Sequence, residues 1–129
     1  MPITRFPPKP QPIQVALSPN GEPIEAGTFK GYFRVPIDGE VVRFEIDCNP
    51  NEEPSSIAVQ VDLNRVDRTT GAATSILSAV ASIATGENNG VGTIDGTQSV
   101  EDGDLLSFDI DQGSDGQDLI ATVFINPSV

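Results

Sequence analysis

Asp102, Asp104, Asp109, Asp111, Asp115 and Asp118 crowd one stretch near the C-terminus, and carboxylates are the side chains that bind hard cations or move protons. Calcium takes carboxylate and loop-carbonyl oxygens, and Asp109-Ile110-Asp111 could begin such a loop. The fifth position of that loop is Gly113, however, and no bidentate Glu stands at the twelfth. Strand alternation puts Asp109 and Asp111 on one face, so they are the pair to consider for a metal. The preferred interpretation is a solvated acidic face that discourages edge-to-edge sheet pairing. No metal or cofactor is expected. Glycoside chemistry would need two carboxylates roughly 5–10 Å apart in a cleft. Nothing around Glu52-Glu53 or the Asp pairs marks one, and with no Trp and one Tyr a sugar-stacking platform is poorly supplied. Tyr32 is the one good stacking candidate, and it fits better as a surface residue packed on a neighbour. The absence of His excludes Ser-His and Cys-His nucleophile pairs and His-based zinc sites. The single cysteine, Cys48, cannot form an intrachain disulfide and reads as a small core residue. An enzyme is the least favoured class.

The other chemistry is that of attachment. Residues 1–12, Met-Pro-Ile-Thr-Arg-Phe-Pro-Pro-Lys-Pro-Gln-Pro, contain five prolines, which hold φ near −65° and donate no backbone hydrogen bond. The segment is expected to be an extended arm laid on a neighbour. Ile3, Arg5, Phe6 and Lys9 are its candidate partner-binding residues, with Tyr32 on the body. Phe6, between Arg5 and Pro7, has no local core to enter and suits a partner's pocket. The arm is locally basic, whereas the whole chain carries a net charge of −12. A surface so acidic repels phosphate backbones and anionic bilayers, so neither nucleic acid nor membrane is an expected partner. No signal peptide is visible, and no stretch approaches the roughly 20 apolar residues that span a bilayer.

Both kinds of residue must be positioned by strands. Val100 to Asp111 opens on the turn Glu101-Asp-Gly-Asp104, then alternates Leu106, Phe108 and Ile110 against Ser107, Asp109 and Asp111. Ile13, Val15 and Leu17 form a first strand. Phe29, Phe33 and Val35 are expected on one face, with Lys30, Tyr32 and Arg34 on the other. Asp38-Gly39 predicts a hairpin turn into Val42, Phe44, Ile46 and Cys48, all expected inward. Ile57, Val59, Val61 and Leu63 form another strand. Residues 73–84 fit a helix face through Ile76, Leu77, Val80, Ile83 and Ala84, but their Ser and Thr content weakens that, and periodicity leaves helix and strand open. Val91 to Val100 suits an irregular edge strand, and 112–117 a turn. Leu119 to Ile125 is apolar on both faces and is expected to be central or covered. About eight short strands predict one all-β domain over 13–129, an antiparallel, jelly-roll-like β-sandwich carrying an extended N-terminal arm.

The ordered series Val61-Asp-Leu-Asn-Arg65, Ser75-Ile-Leu-Ser78, Gly103-Asp-Leu-Leu-Ser-Phe-Asp-Ile-Asp-Gln112 and Gly113-Ser-Asp-Gly-Gln-Asp-Leu119 resembles a small β-sandwich module of tailed-bacteriophage virion proteins. The resemblance covers residues 30–126. The chain departs from that module at Val66-Asp-Arg-Thr-Thr-Gly71, where a longer loop replaces a tight Asn-Gly turn, and it lacks a Val before Gly113. The resemblance implies that 75–78 is strand. It also implies a virion protein assembled in the host cytoplasm: a capsid decoration (cement) protein that binds and stabilises the assembled head through its arm. The implied partners are the major capsid protein or another virion protein, and further copies of the chain as a trimer. A receptor- or glycan-binding module of a head or tail fibre is the alternative.

Overall fold

Alternation of apolar and polar residues does become strands throughout the computed structural model, which describes residues 9–18, 22–48 and 58–128. In chain order they are β1 (Gln11–Ala16), β2 (Pro23–Ile24), β3 (Gly27–Arg34), β4 (Gly39–Asp47), β5 (Val59–Val66), β6 (Ala73–Ser75) and β7 (Leu77–Ala79). There follow β8 (Ala81–Ile83), β9 (Asn89–Ile94), β10 (Gln98–Val100), β11 (Leu105–Gln112), β12 (Ser114–Gln117) and β13 (Ile120–Pro127). One sheet has the order β1-β13-β4-β9-β7, with β10 also beside β4; the other has β3-β11-β5-β6, with β8 also beside β5. The segment 112–117, expected to be a turn, instead carries β11 to its end and forms a small ladder between β12 and β2. All pairings are antiparallel. Taking β6 to β8 as one strand and β9 with β10 as another, and setting β2 and β12 aside, the principal strands run 1-8-3-6 and 2-7-4-5. That is the jelly-roll order.

The two inner faces meet in one apolar layer. Val41, Phe44, Ile46, Ala121, Val123 and Ile125 come from one sheet, and Val59, Val61, Leu63, Leu106, Phe108 and Ile110 from the other; all are buried. Phe44 and Phe108 stack across the layer with ring centroids 5.9 Å apart, an aromatic contact that adds to the area removed from water. Cys48 is buried with this cluster, as expected of a core residue. β13 lies between β1 and β4, the central place that its two apolar faces require. Pro12 is tolerated in β1 because β1 pairs on one side only.

Three expectations are corrected. First, the segments around Phe29–Val35 and Val42–Cys48 are not a hairpin: β3 pairs with β11 and β4 with β13, in opposite sheets. The corner between them is held elsewhere. The Val35 N–H donates to Asp104 O at 2.8 Å, Gly103 N–H donates to Val35 O at 2.7 Å, and Ser128 N–H donates to Asp38 O at 2.9 Å. Second, Val42 is 40% exposed, because Arg43 opposes Phe124 while Val41 opposes Ile125, leaving Val42 as an extra bulged residue. The bulge reverses the alternation, so Val41 takes the inward place. Third, Phe29 leaves the core face, because β3 holds extra residues between Gly27 and Gly31, which oppose Ile110 and Phe108.

Segment 73–84 is strand, not helix, and it closes one side of the sandwich. β6 pairs with β5, β7 crosses to β9 in the other sheet, and β8 returns to β5. Ile76, Ala81 and Ile83 are buried by this zigzag. Where β8 passes β9, a Cβ on Gly90 would lie 2.0 Å from Ser82 O, so only glycine permits the approach. On the opposite side β1 nears β3, and a Cβ on Gly31 would meet Leu17 Cδ2 at 2.6 Å.

Following the strands fixes two ends. β1, β4 and β11 begin, and β3, β5 and β13 finish, at one end, which also carries the 101–104 turn. Residues 17–18 and 22–26 and the connections 84–88 and 113–119 lie at the other. Lys9, where the described chain begins, therefore lies at the first end. The arm residues Ile3, Arg5 and Phe6, the 49–54 loop with Glu52 and Glu53, and Ile57 lie outside the described residues. Gln11 and Pro12, expected in the arm, already belong to β1.

Candidate docking face

Tyr32 stands on the outer face of β3, an edge strand, and is 59% exposed. Its ring stacks on Phe29, 49% exposed, at a centroid distance of 5.3 Å. Phe29 reaches that position only by adopting φ 53°, a left-handed conformation that an aromatic residue rarely takes. The cause is a clamp. Phe29 N–H donates to Asp109 Oδ1 at 2.8 Å, and the other oxygen, Oδ2, accepts from the buried Asn64 Nδ2 at 3.0 Å. Between Tyr32 and Asn64 in the same cross-strand row lies Ser107, fully buried although it is on the outer face.

The clamp decides what Asp109 does: both its oxygens hold protein donors. Asp111 shares its face, and its carboxyl is pushed above the usual range by burial and then by the charges of Asp62 and Asp109. Asp62, directly opposite Asp109, accepts from Ser75 Oγ at 2.5 Å. Among the described residues no three His, Cys, Asp or Glu side chains are grouped to hold a metal ion. Asp47 on the other sheet is likewise raised, by burial and by Glu45.

One row nearer the arm end, Arg34, Leu105 and Val66 stand side by side across β3, β11 and β5. Together with Asp67, Arg68 and Gly71 they line a cleft of about 380 Å³. Arg34 Nη1 donates to Gly103 O at 3.1 Å, and Arg68 Nη2 donates to Asp104 Oδ1 at 2.7 Å and Asp102 O at 3.4 Å. Arg65, on the inward face of β5, crosses to donate to Ser99 O in the other sheet. The carboxylates here are occupied. Asp67 accepts the backbone N–H groups of Thr69 and Thr70 at 2.8 Å each, and those amides of Thr70 and Thr69 lower its carboxyl. Burial works to raise Asp104, but the Glu101 amide and Arg68 outweigh it, and its carboxyl ends below the usual range. Lys9, exposed, lies two residues before β1 at this same end.

No family model matches the chain, and no curated protein does. A solved structure does. The chain is similar to one from the capsid of Ralstonia phage GP4, with a TM-score of 0.60 at 12% identity, covering 99% of this chain and 90% of that one. At that identity the likeness establishes a shared fold.

Of the residues expected to bind a partner, Lys9 and Tyr32 are described and both are exposed; Ile3, Arg5 and Phe6 are outside the described residues. The arginines around the 101–104 turn were not expected. Arg34, Arg65 and Arg68 make up three of the chain's seven Lys and Arg residues, and that scarcity was the only signal available.

Proposed function

We propose that this chain is a structural protein of a phage virion, of the capsid decoration type, joined to the assembled head through its N-terminal segment. The observation that supports it most is the correspondence of this jelly roll with a chain of a phage capsid over 99% of this chain and 90% of that one. The topology adds a second support: Lys9, the start of β1 and the arginine cluster share one end of the sandwich. Binding assembled capsomers in preference to loose subunits would stabilise the shell by mass action, as RT ln(1 + [L]/Kd) per site. Attachment as a trimer at a local threefold position belongs to the same proposal. The test is deletion of residues 1–10, which leaves β1 whole. The shortened chain is expected to fold, to lose co-sedimentation with particles, and to lower the temperature at which they release DNA. Undiminished binding by the shortened chain would refute attachment through that segment.

The exposed Phe29–Tyr32 pair favours one second reading, a glycan-binding module, since stacked rings beside carboxylates can hold a sugar. That module would bind glycans as the isolated body, with residues 1–10 removed.

A further inference from the structure

We propose that the flank of the sandwich bearing Phe29, Tyr32 and Asp109 docks a basic segment of another protein, through an arginine that stacks on the exposed rings and faces the carboxylates beside them. This surface is a second contact, separate from the end that carries Lys9, and it does not depend on attachment through the N-terminal segment. Among the described residues no other aromatic side chain is as exposed as this stacked pair. On the same outer face Asp109 and Asp111 follow along β11, and Asp62 of β5 stands directly opposite Asp109. The hydrogen bonds on Asp109 and Asp62 come from neutral donors, the Phe29 N–H, the Asn64 amide and the Ser75 hydroxyl, so the negative charge stays. None of the three is ion-paired with a described residue. The carboxyl of Asp111, raised by burial and then by Asp62 and Asp109, reports the same uncompensated charge. The nearest cations are turned elsewhere. Arg34 donates to Gly103 O, and Lys30 lies against Gly27 in a cleft that it shares with Glu22 and Glu25. The three aspartates outnumber those two cations even before Glu22 and Glu25 are counted.

Charge and ring together select the occupant. A second copy of the chain, itself at −12, is repelled. A neutral sugar stacked on the rings would take water from the three carboxylates without offsetting any of them. A bare metal ion finds no open ligand set: both oxygens of Asp109 already hold protein donors, and no three acidic groups among the described residues are arranged for one. A guanidinium meets both halves of the surface. Its flat face stacks on an aromatic ring while its N–H groups reach carboxylate oxygens in the plane. Ser107 offers a further polar contact. Its hydroxyl, fully buried between Tyr32 and Asn64 on this face, has no hydrogen-bond partner, and a donor inserted between those two residues supplies one. β3 pairs with β11 alone, so its other edge leaves room for an extended segment beside Tyr32.

The experiment titrates the full chain, ¹⁵N-labelled, with the peptide acetyl-Gly-Arg-Ala-Arg-Gly-amide, with the same peptide carrying Glu for Arg, and with lactose. The amides of Phe29, Tyr32, Asp62, Ser107 and Asp109 are expected to shift with the arginine peptide only. Tyr32→Leu, which keeps an apolar side chain but no ring, is expected to weaken binding about fivefold. Asp111→Asn, which removes a charge and leaves the Asp109 clamp alone, is expected to weaken it about threefold. Glu45 and Asp47 on the other sheet are a built-in control, an acidic pair with no exposed ring pair beside it. Equal shifts there would mean attraction to acid alone and would overturn the inference. So would no shifts at millimolar peptide, unchanged binding by Tyr32→Leu, or shifts with lactose in place of the arginine peptide. Shifts at these amides that grow with protein concentration and need no peptide would assign the flank to a second copy and overturn it as well. The functional reading is tested separately, by particle binding after deletion of residues 1–10, so either can fail with the other intact.

Discussion

Replacing Asp109 by alanine tests whether one carboxylate holds the exposed aromatic pair. The substitution removes two charge-assisted hydrogen bonds, from Phe29 N–H and from Asn64 Nδ2. Asn64 is 4% exposed, so its amide is left without a partner, a loss of about 1–3 kcal/mol. The Phe29 bond is exposed and adds less. Two effects oppose the loss. Repulsion from Asp62, directly opposite, and from Asp111 is relieved, worth about 0.2–1 kcal/mol, and Phe29 can relax from φ 53°, worth about 1 kcal/mol. A net destabilisation of about 1–2 kcal/mol is expected, which for a chain this size lowers Tm by about 4–8 °C. Asp109→Asn keeps an acceptor for Phe29 and is expected to stay within about 0.5 kcal/mol of the parent, because the Asn64 amide can turn to match it. Tyr32 is the only tyrosine and there is no tryptophan, so near-ultraviolet circular dichroism reads the Phe29–Tyr32 stack directly. Its tyrosine band is expected to collapse in Asp109→Ala and persist in Asp109→Asn. An alanine variant with unchanged Tm and an unchanged tyrosine band would refute the clamp.

Gly90→Ala forces a Cβ against Ser82 O and is expected to cost about 1–3 kcal/mol in denaturant titrations, whereas Gly86→Ala, with open space but φ 84°, is expected to cost about 1 kcal/mol. Stability should pass through a maximum in mild acid. Asp111 and Asp47 have raised carboxyls, so their protonation favours the folded state as pH falls through the range above 4. Asp67 and Asp104 are depressed, so the stability they contribute is present above about pH 4 and lost as pH falls below it. Asp111→Asn is expected to raise Tm at pH 7 by about 1–3 °C and to flatten the rise on acidification, as followed by thermal melts from pH 7 to pH 3.

Strands were legible wherever the period of two held. Leu106, Phe108 and Ile110, or Val59, Val61 and Leu63, face inward as their spacing requires. What alternation cannot carry is partnership. Asp38-Gly39 signals a reversal of the chain, but whether the next strand pairs with the last or crosses to the other sheet depends on Val35 being held by the distant 101–104 turn. Bulges hide for a similar reason. Val41-Val42 is apolar at both positions, so the sequence does not say where parity changes, and Phe29 is drawn out of the core by a carboxylate far along the chain. In 73–84 Ile76, Leu77, Val80 and Ile83 fit a helical face by spacing, but three-residue strands crossing between sheets bury side chains at irregular intervals, and the buried set is Ile76, Ala81 and Ile83. The resemblance to phage modules resolved 75–78 as strand where periodicity could not. The candidate site was legible only in part. Tyr32 stood out as a lone tyrosine, whereas Arg34, Arg65 and Arg68 come together only through the topology.

Cryo-electron microscopy of phage particles bearing the proposed decoration addresses the central claim most directly. Density for the sandwich is expected on the outside of the shell, with the end bearing Lys9, Arg34 and Arg68 turned toward the capsid and the 84–88 and 113–119 connections turned away. A sandwich standing the other way up, or a shell without it, would contradict attachment through that end.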